Sequence, residues 1–302
     1  MSRPIVALIY DFDKTLSPRD QQEYSFMPGI NMEPEAFWGL CARFAEEHQM
    51  DGILTYMYLM KEKALKETDL SVEGLRALGR DVDFFPGVID WFDRINAIGD
   101  AAGAEVEHYI ISSGLTEMIR GSAIGDKFKA VFAASFCYDA DGRVLWPSNA
   151  VNYTNKTQYL FRINKGILDL TNDRDLNGYT PSYMRRIPFT NMIYIGDGLT
   201  DVPCMKMTKQ KGGYSIVVHA PGKTELADDM LLQNRADFRA EADYSRDSEL
   251  ERIVTMLIRR ILATHELSAL HARQLELASR RRGHLAPLEI PLRGGISEEE
   301  TE

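Results

Sequence analysis

Two carboxylates lie two positions apart near the start of the chain, in the stretch IVALIYDFDKTL at positions 5–16. The residues Ile5–Tyr10 form a short, continuous apolar run, which is typical of a fully buried strand. Asp11 and Asp13 would therefore follow directly on the end of a strand. The pair is a weak signal by itself, because Asp is also common in turns and helix caps.

Three more polar clusters lie where predicted strands end or a helix begins. Residues 112–114 (Ser-Ser-Gly) follow a second strand, residues 196–201 (Gly-Asp-Gly-Leu-Thr-Asp) follow a later one, and Lys156 begins the helix before that later strand. Open α/β sheets form their sites at the carboxyl ends of the strands. Each cluster alone is explained by capping or a turn, whereas all four together on one edge are much harder to explain in that way.

The chemistry of the four clusters converges on phosphoryl transfer. Several carboxylates crowded together repel one another and raise each other's pKa, and a hard cation such as Mg²⁺ relieves that repulsion. A lysine and a serine hydroxyl add a positive charge and a hydrogen-bond donor. Phosphate monoesters are among the slowest substrates to hydrolyse unaided, so their hydrolysis needs charge neutralisation together with a positioned nucleophile.

Strands that alternate with helices predict an α/β fold, namely a Rossmann-like, doubly wound, mainly parallel sheet with a small α-helical cap inserted after the first strand. We predict strands at 5–10, 106–111, 130–134, 191–195, 214–218 and 242–244, with a hairpin at 137–146 that turns at Asp141-Gly142. Helical segments are predicted at 34–79, 88–98, 156–170 and 247–281.

These elements predict a division of the chain into four parts. Residues 1–16 and 86–246 would form the α/β core, residues 17–85 the helical cap, residues 247–283 a C-terminal helix and residues 284–302 a flexible acidic tail. The C-terminal helix would either pack back on the core or mediate self-association, and the sequence leaves the oligomeric state open.

Composition limits which classes of binding partner and which cellular compartment are expected for this chain. The chain has 302 residues and a net charge of −10, so neither nucleic acid nor an anionic membrane is the expected partner. Its three cysteines form no CxxC pair, which argues against a disulfide framework or a structural zinc site. No apolar run approaches the ~20 residues of a membrane span, and no signal-peptide pattern precedes the first strand. A cytoplasmic location is therefore expected, and the phosphoryl chemistry of the four clusters makes a small phosphorylated metabolite the expected partner.

The four clusters together resemble the motifs of the haloacid dehalogenase-type superfamily, in its phosphoserine-phosphatase-like branch. DFDKTL matches the first motif, DxDx(T/V), and IISSG matches the second, a Ser or Thr that closes a strand. TNKTQYL matches the third, a Lys at a helix start, and YIGDGLTD matches the fourth, GDxxxD. The resemblance covers roughly residues 5–244 apart from the insertion.

This resemblance implies a role for each motif residue. Asp11 would be the nucleophile that becomes a phosphoaspartate, and Asp13 would be the general acid and then the general base. Ser112 would donate to a phosphoryl oxygen, and Lys156 would neutralise the nucleophile and the phosphoryl charge. Mg²⁺ would be held by Asp11, the main-chain carbonyl of Asp13, and Asp197.

Further residues would support these groups. Asp201 would either orient Lys156 or bind the metal through water, and both readings stay open. The remaining supporting residues are Thr15, Ser113, Gly114 and Gly198. The carboxylate of Glu23 would either meet a substrate amine or be a solvated surface group, and Lys14 would be either solvated or in contact with substrate. Lys165 is a rival to Lys156 for the third motif.

We therefore expect a Mg²⁺-dependent phosphatase that acts on a small-molecule phosphate monoester. One alternative is a phosphomutase or phosphotransferase, which uses the same aspartyl-phosphate chemistry but passes the phosphoryl group to a second alcohol. Another alternative is a non-catalytic interaction protein that has kept the fold.

Overall fold

A seven-stranded sheet forms the centre of the molecule, with the strand order β4-β3-β2-β1-β5-β6-β7. The computed structural model describes residues 3–65 and 68–282. All neighbouring strands are parallel except the β3–β4 pair, which is an antiparallel hairpin. The strands are β1 (Ile5–Tyr10), β2 (Glu105–Leu115), β3 (Ala130–Tyr138), β4 (Val144–Asn149), β5 (Met192–Gly196), β6 (Tyr214–His219) and β7 (Phe238–Glu241). The predicted Rossmann-like α/β fold is confirmed.

Helices connect the strands and fill the long segment between β1 and β2. They are α1 (Phe26–Gly29), α2 (Pro34–His48), α3 (Gly52–Lys63), α4 (Val72–Gly79), α5 (Val88–Ala102), α6 (Thr116–Gly121), α7 (Lys156–Lys165), α8 (Asp173–Asn177), α9 (Val202–Gln210), α10 (Glu225–Leu232) and α11 (Glu249–Arg282). Within the described part of the chain, no helix is both long and apolar enough to span a membrane.

Several predicted elements differ from the observed ones. The helical stretch predicted at 34–79 is divided into α2, α3 and α4, and β2 extends to Leu115, so residues 112–114 lie within its last part and not after it. The last strand lies at Phe238–Glu241 and not at 242–244. Tyr244 is buried because its ring packs edge-on against Trp91, so the apolar signal there came from tertiary packing rather than from a strand. The helix predicted at 156–170 ends at Lys165, because Gly166 adopts a left-handed conformation with φ of 75° and caps it.

Alternate residues of β1 enter two separate apolar layers, one on each face of the sheet, as the period of two in a strand requires. Val6, Leu8 and Tyr10 join the layer built with α5 and α11, and Ala7 and Ile9 join the layer built with α7, α9 and α10. The sheet is therefore covered on both faces, as a doubly wound fold requires.

The insertion between β1 and β2 forms a third apolar cluster that it shares with the sheet. Its own buried residues, such as Phe37 and Met57, pack together with Leu115, Met118 and Phe136 from β2, α6 and β3. The insertion therefore lies against the β2–α6–β3 part of the sheet. The division into core and cap domains stays a prediction, and the predicted tail at 284–302 lies outside the described residues.

Candidate active site

The first and fourth motifs meet because β1 and β5 are parallel neighbours in register. Tyr10 pairs with Ile195, and the backbone N–H of Asp11 donates to the carbonyl of Ile195 at 3.0 Å. Asp11 and Asp197 therefore leave the sheet at the same edge. One carboxylate oxygen from each of Asp11, Asp197 and Asp201 lies within 4.8 Å of the other two.

Lys156 lies among these carboxylates and is fully buried. Its Nζ is 2.9 Å from Asp11 Oδ2 and 2.8 Å from Asp201 Oδ1. Burial alone would lower the pKa of this ammonium, but the negative charges of Asp11 and Asp201 outweigh it and raise the pKa above its usual value. The lysine is therefore held as a cation directly beside Asp11.

Asp201 is held by contacts that direct it toward the lysine. The Tyr194 hydroxyl donates to Asp201 Oδ1 at 2.7 Å, and the N–H of Gly198 donates to Oδ2 at 3.3 Å. A Cβ on Gly196 would lie 2.4 Å from Oδ2, so the carboxylate needs a glycine at that position. Of the two readings that the sequence left open, this geometry favours the orientation of Lys156.

Asp197 is coupled to the first motif through Thr15. The Thr15 hydroxyl donates to Asp197 Oδ1 at 3.2 Å, and the Thr15 carbonyl accepts from the Tyr244 hydroxyl at 2.9 Å. Burial raises the pKa of Asp197 to about 8, and the charges of Asp201 and Asp11 add to that rise. Thr15 thus links the first motif to Asp197 and to Tyr244.

Asp11 combines burial with a fixed orientation. Its Oδ1 accepts the backbone N–H of Phe12 at 2.7 Å, which leaves Oδ2 as the oxygen that faces Lys156. Burial raises the pKa of Asp11 to about 6, the charge of Lys156 opposes this rise, and that of Asp201 adds to it. The carboxylate is thus buried, fixed in orientation and offset in charge by the lysine, an arrangement that would suit an oxygen nucleophile.

The second motif closes β2, the neighbour of β1 on the other side. Ser112 is buried, and its Oγ accepts the N–H of Gly114 at 3.1 Å. The carbonyl of Ser113 accepts the hydroxyl of Tyr56 at 2.7 Å, and Tyr56 belongs to α3 in the insertion. The second motif is therefore in direct contact with the segment that covers this edge of the sheet.

Asp13 lies at the start of the insertion and contacts Gln21. The backbone N–H of Gln21 donates to Asp13 Oδ1 at 2.8 Å, and its side-chain Nε2 lies 3.3 Å from Oδ2. Burial and the charges of Asp20 and Asp11 raise the pKa of Asp13 well above its usual value, while the hydrogen bonds from Gln21 oppose that rise. A raised pKa suits a carboxyl group that must carry a proton before it donates it.

The structure places three further residues that the sequence analysis considered, namely Lys165, Glu23 and Lys14. Lys165 donates to the carbonyls of Leu176 and Gly178 at 2.6 and 2.7 Å, so it connects α7 to the segment that follows. Because Lys165 is engaged there and Lys156 lies beside Asp11, the geometry favours Lys156 for the third motif. The carboxylates of two acidic residues near the first motif are engaged: Glu23 accepts the Trp38 indole N–H at 2.8 Å, and Asp20 pairs with half-exposed Lys14 at 2.7 Å.

Sequence reasoning missed four residues that complete the site, which are Gln21, Tyr56, Tyr194 and Tyr244. Tyr194 carried a usable signal, because a tyrosine inside an apolar strand needs a partner for its hydroxyl group. The other three have partners 8 to 229 positions away, and no local pattern indicates such pairs.

The donor set fits a hard divalent cation. Asp11, Asp197 and Asp201 lie close together, and Lys156 forms ion pairs with Asp11 and Asp201. Three carboxyl groups beside this one buried ammonium leave an excess of negative charge when all three are ionised. Burial is the main cause of the raised pKa values of Asp11 and Asp197, and the negative charge of Asp201 adds to both rises. Carboxylate oxygens are the ligands that Mg²⁺ prefers, and Mg²⁺ commonly uses only one or two of them.

Comparison with known proteins identifies the family. A family model described as haloacid dehalogenase-like hydrolase matches residues 8–206, which is more than half of the chain. The matched range contains all four motif clusters. The chain therefore belongs to the haloacid dehalogenase-like hydrolase family, and it is a hydrolase of that family.

Individual proteins are similar to this chain in sequence or in fold. A protein of Borreliella burgdorferi, described as uncharacterized, is 28% identical over 82% of this chain and 94% of its own length. A substrate-bound phosphoserine phosphatase complex superposes with a TM-score of 0.51 at 15% identity, over 84% of this chain and 99% of that one. A probable phosphoserine phosphatase from Vibrio cholerae superposes with a TM-score of 0.53 at 13% identity, over 87% of this chain and 67% of that one. At these identities the structural matches show a shared fold.

Proposed function

We propose that this protein is a Mg²⁺-dependent phosphatase that hydrolyses a small-molecule phosphate monoester through a phosphoaspartate on Asp11. The observation that carries the proposal is the buried Lys156 ammonium between Asp11 and Asp201, at 2.9 and 2.8 Å. A lysine held charged beside a buried carboxylate suits a nucleophile that must approach a phosphate dianion.

In the first step, an Asp11 carboxylate oxygen attacks phosphorus and the bond from phosphorus to the ester oxygen breaks. Asp13 transfers its proton to the departing alkoxide, which leaves as the alcohol. Lys156 and the Ser112 hydroxyl would stabilise the phosphoryl oxygens during transfer. Asp11 is then a mixed anhydride with phosphate, and Asp13 is an ionised carboxylate.

In the second step, Asp13 takes a proton from a water molecule as the water oxygen attacks phosphorus. The bond between phosphorus and Asp11 breaks, which releases inorganic phosphate and restores both carboxyl groups to their starting states. Asp11, Asp197 and the main-chain carbonyl of Asp13 would hold Mg²⁺. When bound, the ion supplies neutralisation of the charge on the phosphoryl oxygens.

The position of the insertion supports a small substrate. The Tyr56 hydroxyl contacts the second motif, which attaches the middle of the insertion to this edge of the sheet. The N–H of Phe85 donates to the carbonyl of Leu16 at 3.0 Å, which holds the two ends of the insertion together. A covered site excludes water from the reaction and favours a metabolite over a protein surface. Such a role is compatible with the cytoplasmic location that the sequence predicts.

The test is phosphate release from a panel of small phosphate esters, with Mg²⁺ and with EDTA. We expect turnover only with Mg²⁺, loss of turnover to background in Asp11→Asn, and a loss of roughly 10²–10⁴-fold in Asp13→Asn. Asp100→Asn is the matched control, because Asp100 is exposed and pairs only with Arg3 among its described contacts. Equal turnover by wild type and Asp11→Asn would contradict the mechanism.

The same assay separates hydrolysis from phosphoryl transfer. With an added acceptor alcohol, a phosphatase releases one inorganic phosphate for each ester consumed. A phosphomutase or phosphotransferase forms phosphorylated acceptor instead. We expect inorganic phosphate to account for the ester consumed.

A further inference from the structure

Gln21 makes four hydrogen bonds that connect the first motif to the second. Its backbone N–H donates to Asp13 Oδ1 at 2.8 Å, and its Nε2 reaches Oδ2 and Oδ1 of the same carboxyl at 3.3 and 3.5 Å. Its Oε1 accepts the backbone N–H of Leu115 at 3.2 Å. The residue is fully buried, so these contacts do not compete with bulk water.

The bond to Leu115 determines which way the amide of Gln21 points. A backbone N–H can only donate, so the atom that faces it must be the amide oxygen. The NH₂ group is thereby directed at Asp13, and it is a donor in every state. Gln21 therefore presents its donors to the Asp13 carboxyl in one orientation, fixed from the end of β2.

Gly114 gives independent evidence that the three groups are closely fitted. A Cβ at position 114 would lie 1.8 Å from Gln21 Nε2 and 2.8 Å from Asp13 Oδ2. Any larger residue there would displace the amide, the carboxyl or both. The glycine of the second motif thus leaves the space in which Gln21 reaches Asp13.

The loop from Asp13 to Gln21 is also held together by an ion pair between two of its more exposed side chains. Lys14 pairs with Asp20 at 2.7 Å next to the inner contact of Asp13 with Gln21. Gln21 opens the first helical turn of the insertion, at Gln21–Glu23. The orientation of Asp13 therefore depends on how the beginning of the insertion is attached to β2.

We infer that Gln21 is a positioning residue, whose side chain holds the Asp13 carboxyl in the orientation required for proton transfer to the leaving group. This inference rests on the proposed function, because it assigns Gln21 a task only if Asp13 is the general acid. Gln21 touches Asp13 and the end of β2, and it acts on the reaction through Asp13.

The role can be distinguished from simple core packing by changing the leaving group. p-Nitrophenyl phosphate releases a weakly basic phenolate that needs little protonation, whereas p-nitrobenzyl phosphate is nearly the same size and releases a strongly basic alkoxide. Loss of general-acid positioning therefore lowers kcat/KM for the benzyl ester far more than for the phenyl ester. Loss of packing alone lowers both by the same factor.

We expect Gln21→Met, which keeps the side-chain volume and the backbone N–H bond, to lower kcat/KM by roughly 10–100-fold for the benzyl ester and by less than about 3-fold for the phenyl ester. Asp13→Asn should show the same selectivity with a larger amplitude. Gln22→Met is the matched control, since Gln22 lies in the same turn and is buried, and its Oε1 has no hydrogen-bond partner among the described residues.

A second variant covers the case in which Gln21→Met does not fold. Gln21→Glu keeps an oxygen for the N–H of Leu115 but removes the amide donor, so it should give the same selective loss on the benzyl ester. Equal losses on both esters, or no loss in a folded variant, would overturn the positioning role while the proposed function stands. Failure of the wild-type protein to release phosphate from any ester would instead contradict the proposed function.

Discussion

At the residue scale, a buried cation among carboxylates is what distinguishes this sheet edge from an ordinary set of strand ends. Lys156 is fully buried and bridges Asp11 and Asp201, and the Tyr194 hydroxyl donates a further hydrogen bond to Asp201. A buried charge persists only when it is paired and hydrogen-bonded, so each of these groups depends on the others.

Lys156→Met removes the cation but keeps the length of the side chain. Because it leaves the carboxyls of Asp11 and Asp201 buried and unpaired, we expect the free energy of unfolding to fall by about 3–5 kcal/mol at neutral pH. Burial raises the pKa of Asp11 to about 6 against the opposing charge of Lys156, so without the lysine this pKa would rise further and the folded state would bind more protons than the unfolded state. The destabilisation should therefore be larger at pH 8 than at pH 5.

Denaturant unfolding in EDTA at the two pH values measures this difference. Lys165→Met is the matched control, because Lys165 lies in the same helix and donates only to carbonyls in its described hydrogen bonds. It should cost about 1–2 kcal/mol at both pH values. A pH-independent cost for Lys156→Met would show that its charge is not what stabilises the site.

At the element scale, two close helix contacts attach the insertion to the sheet. A Cβ on Gly79, the last residue of α4, would lie 2.0 Å from the carbonyl oxygen of Met118 in α6. A Cβ on Gly121, the last residue of α6, would lie 2.0 Å from the carbonyl oxygen of Arg76. The backbones of the two helices therefore touch directly, next to the end of the strand that carries Ser112.

Gly79→Ala tests whether this backbone contact holds the insertion in place. The added methyl group would clash with a carbonyl oxygen, which cannot move as a flexible side chain can, so we expect a loss of about 1–3 kcal/mol in unfolding free energy. Gly52→Ala in α3 is the matched control, because its Cβ would meet nothing within 4 Å. The free energy of unfolding of Gly52→Ala should be unchanged or higher by up to about 1 kcal/mol. Thermal or denaturant unfolding compares the pair.

At the scale of the whole molecule, α11 is part of the core for only half of its length. Leu250, Val254, Leu257, Ile258 and Ile261 are buried against the layer that contains α5. Beyond Leu262 the side chains are exposed or half-buried up to Ser279, and Leu267, Leu270 and Leu277 are among the exposed ones. The sequence left open whether this helix packs on the core, and its first half does.

Two truncations separate the halves of α11. A chain that ends at Thr264 should keep its melting temperature within a few degrees, because the removed side chains are mostly exposed. A chain that ends at Arg246 loses at least five buried aliphatic side chains at about 1.5–3 kcal/mol each, which is comparable with the whole stability of a domain. We expect it not to fold. Thermal unfolding of both truncated chains can be followed by calorimetry or circular dichroism. Cooperative unfolding of the chain that ends at Arg246 would contradict the expected contribution of α11 to the core.

The sequence by itself determined most of the elements and all four motif clusters. A short apolar run followed by carboxylates predicts a buried strand end, and parallel strands bring such ends to one edge, so Asp11, Ser112 and Asp197 were predictable together. Lys156 was predictable as well, because it begins a helix and Lys165 does not. These predictions depend on local periodicity and on one topological rule.

Only the tertiary structure decided which residues support that edge. Gln21 reaches Leu115 across 94 positions, and Tyr244 reaches Thr15 across 229. The same kind of packing buried Tyr244 outside a strand, where the sequence had predicted one. Such contacts arise from the way separate layers meet, and the residue types involved are common on surfaces as well. A single sequence therefore carries the chemistry of this site, whereas its positioning depends on the packed fold.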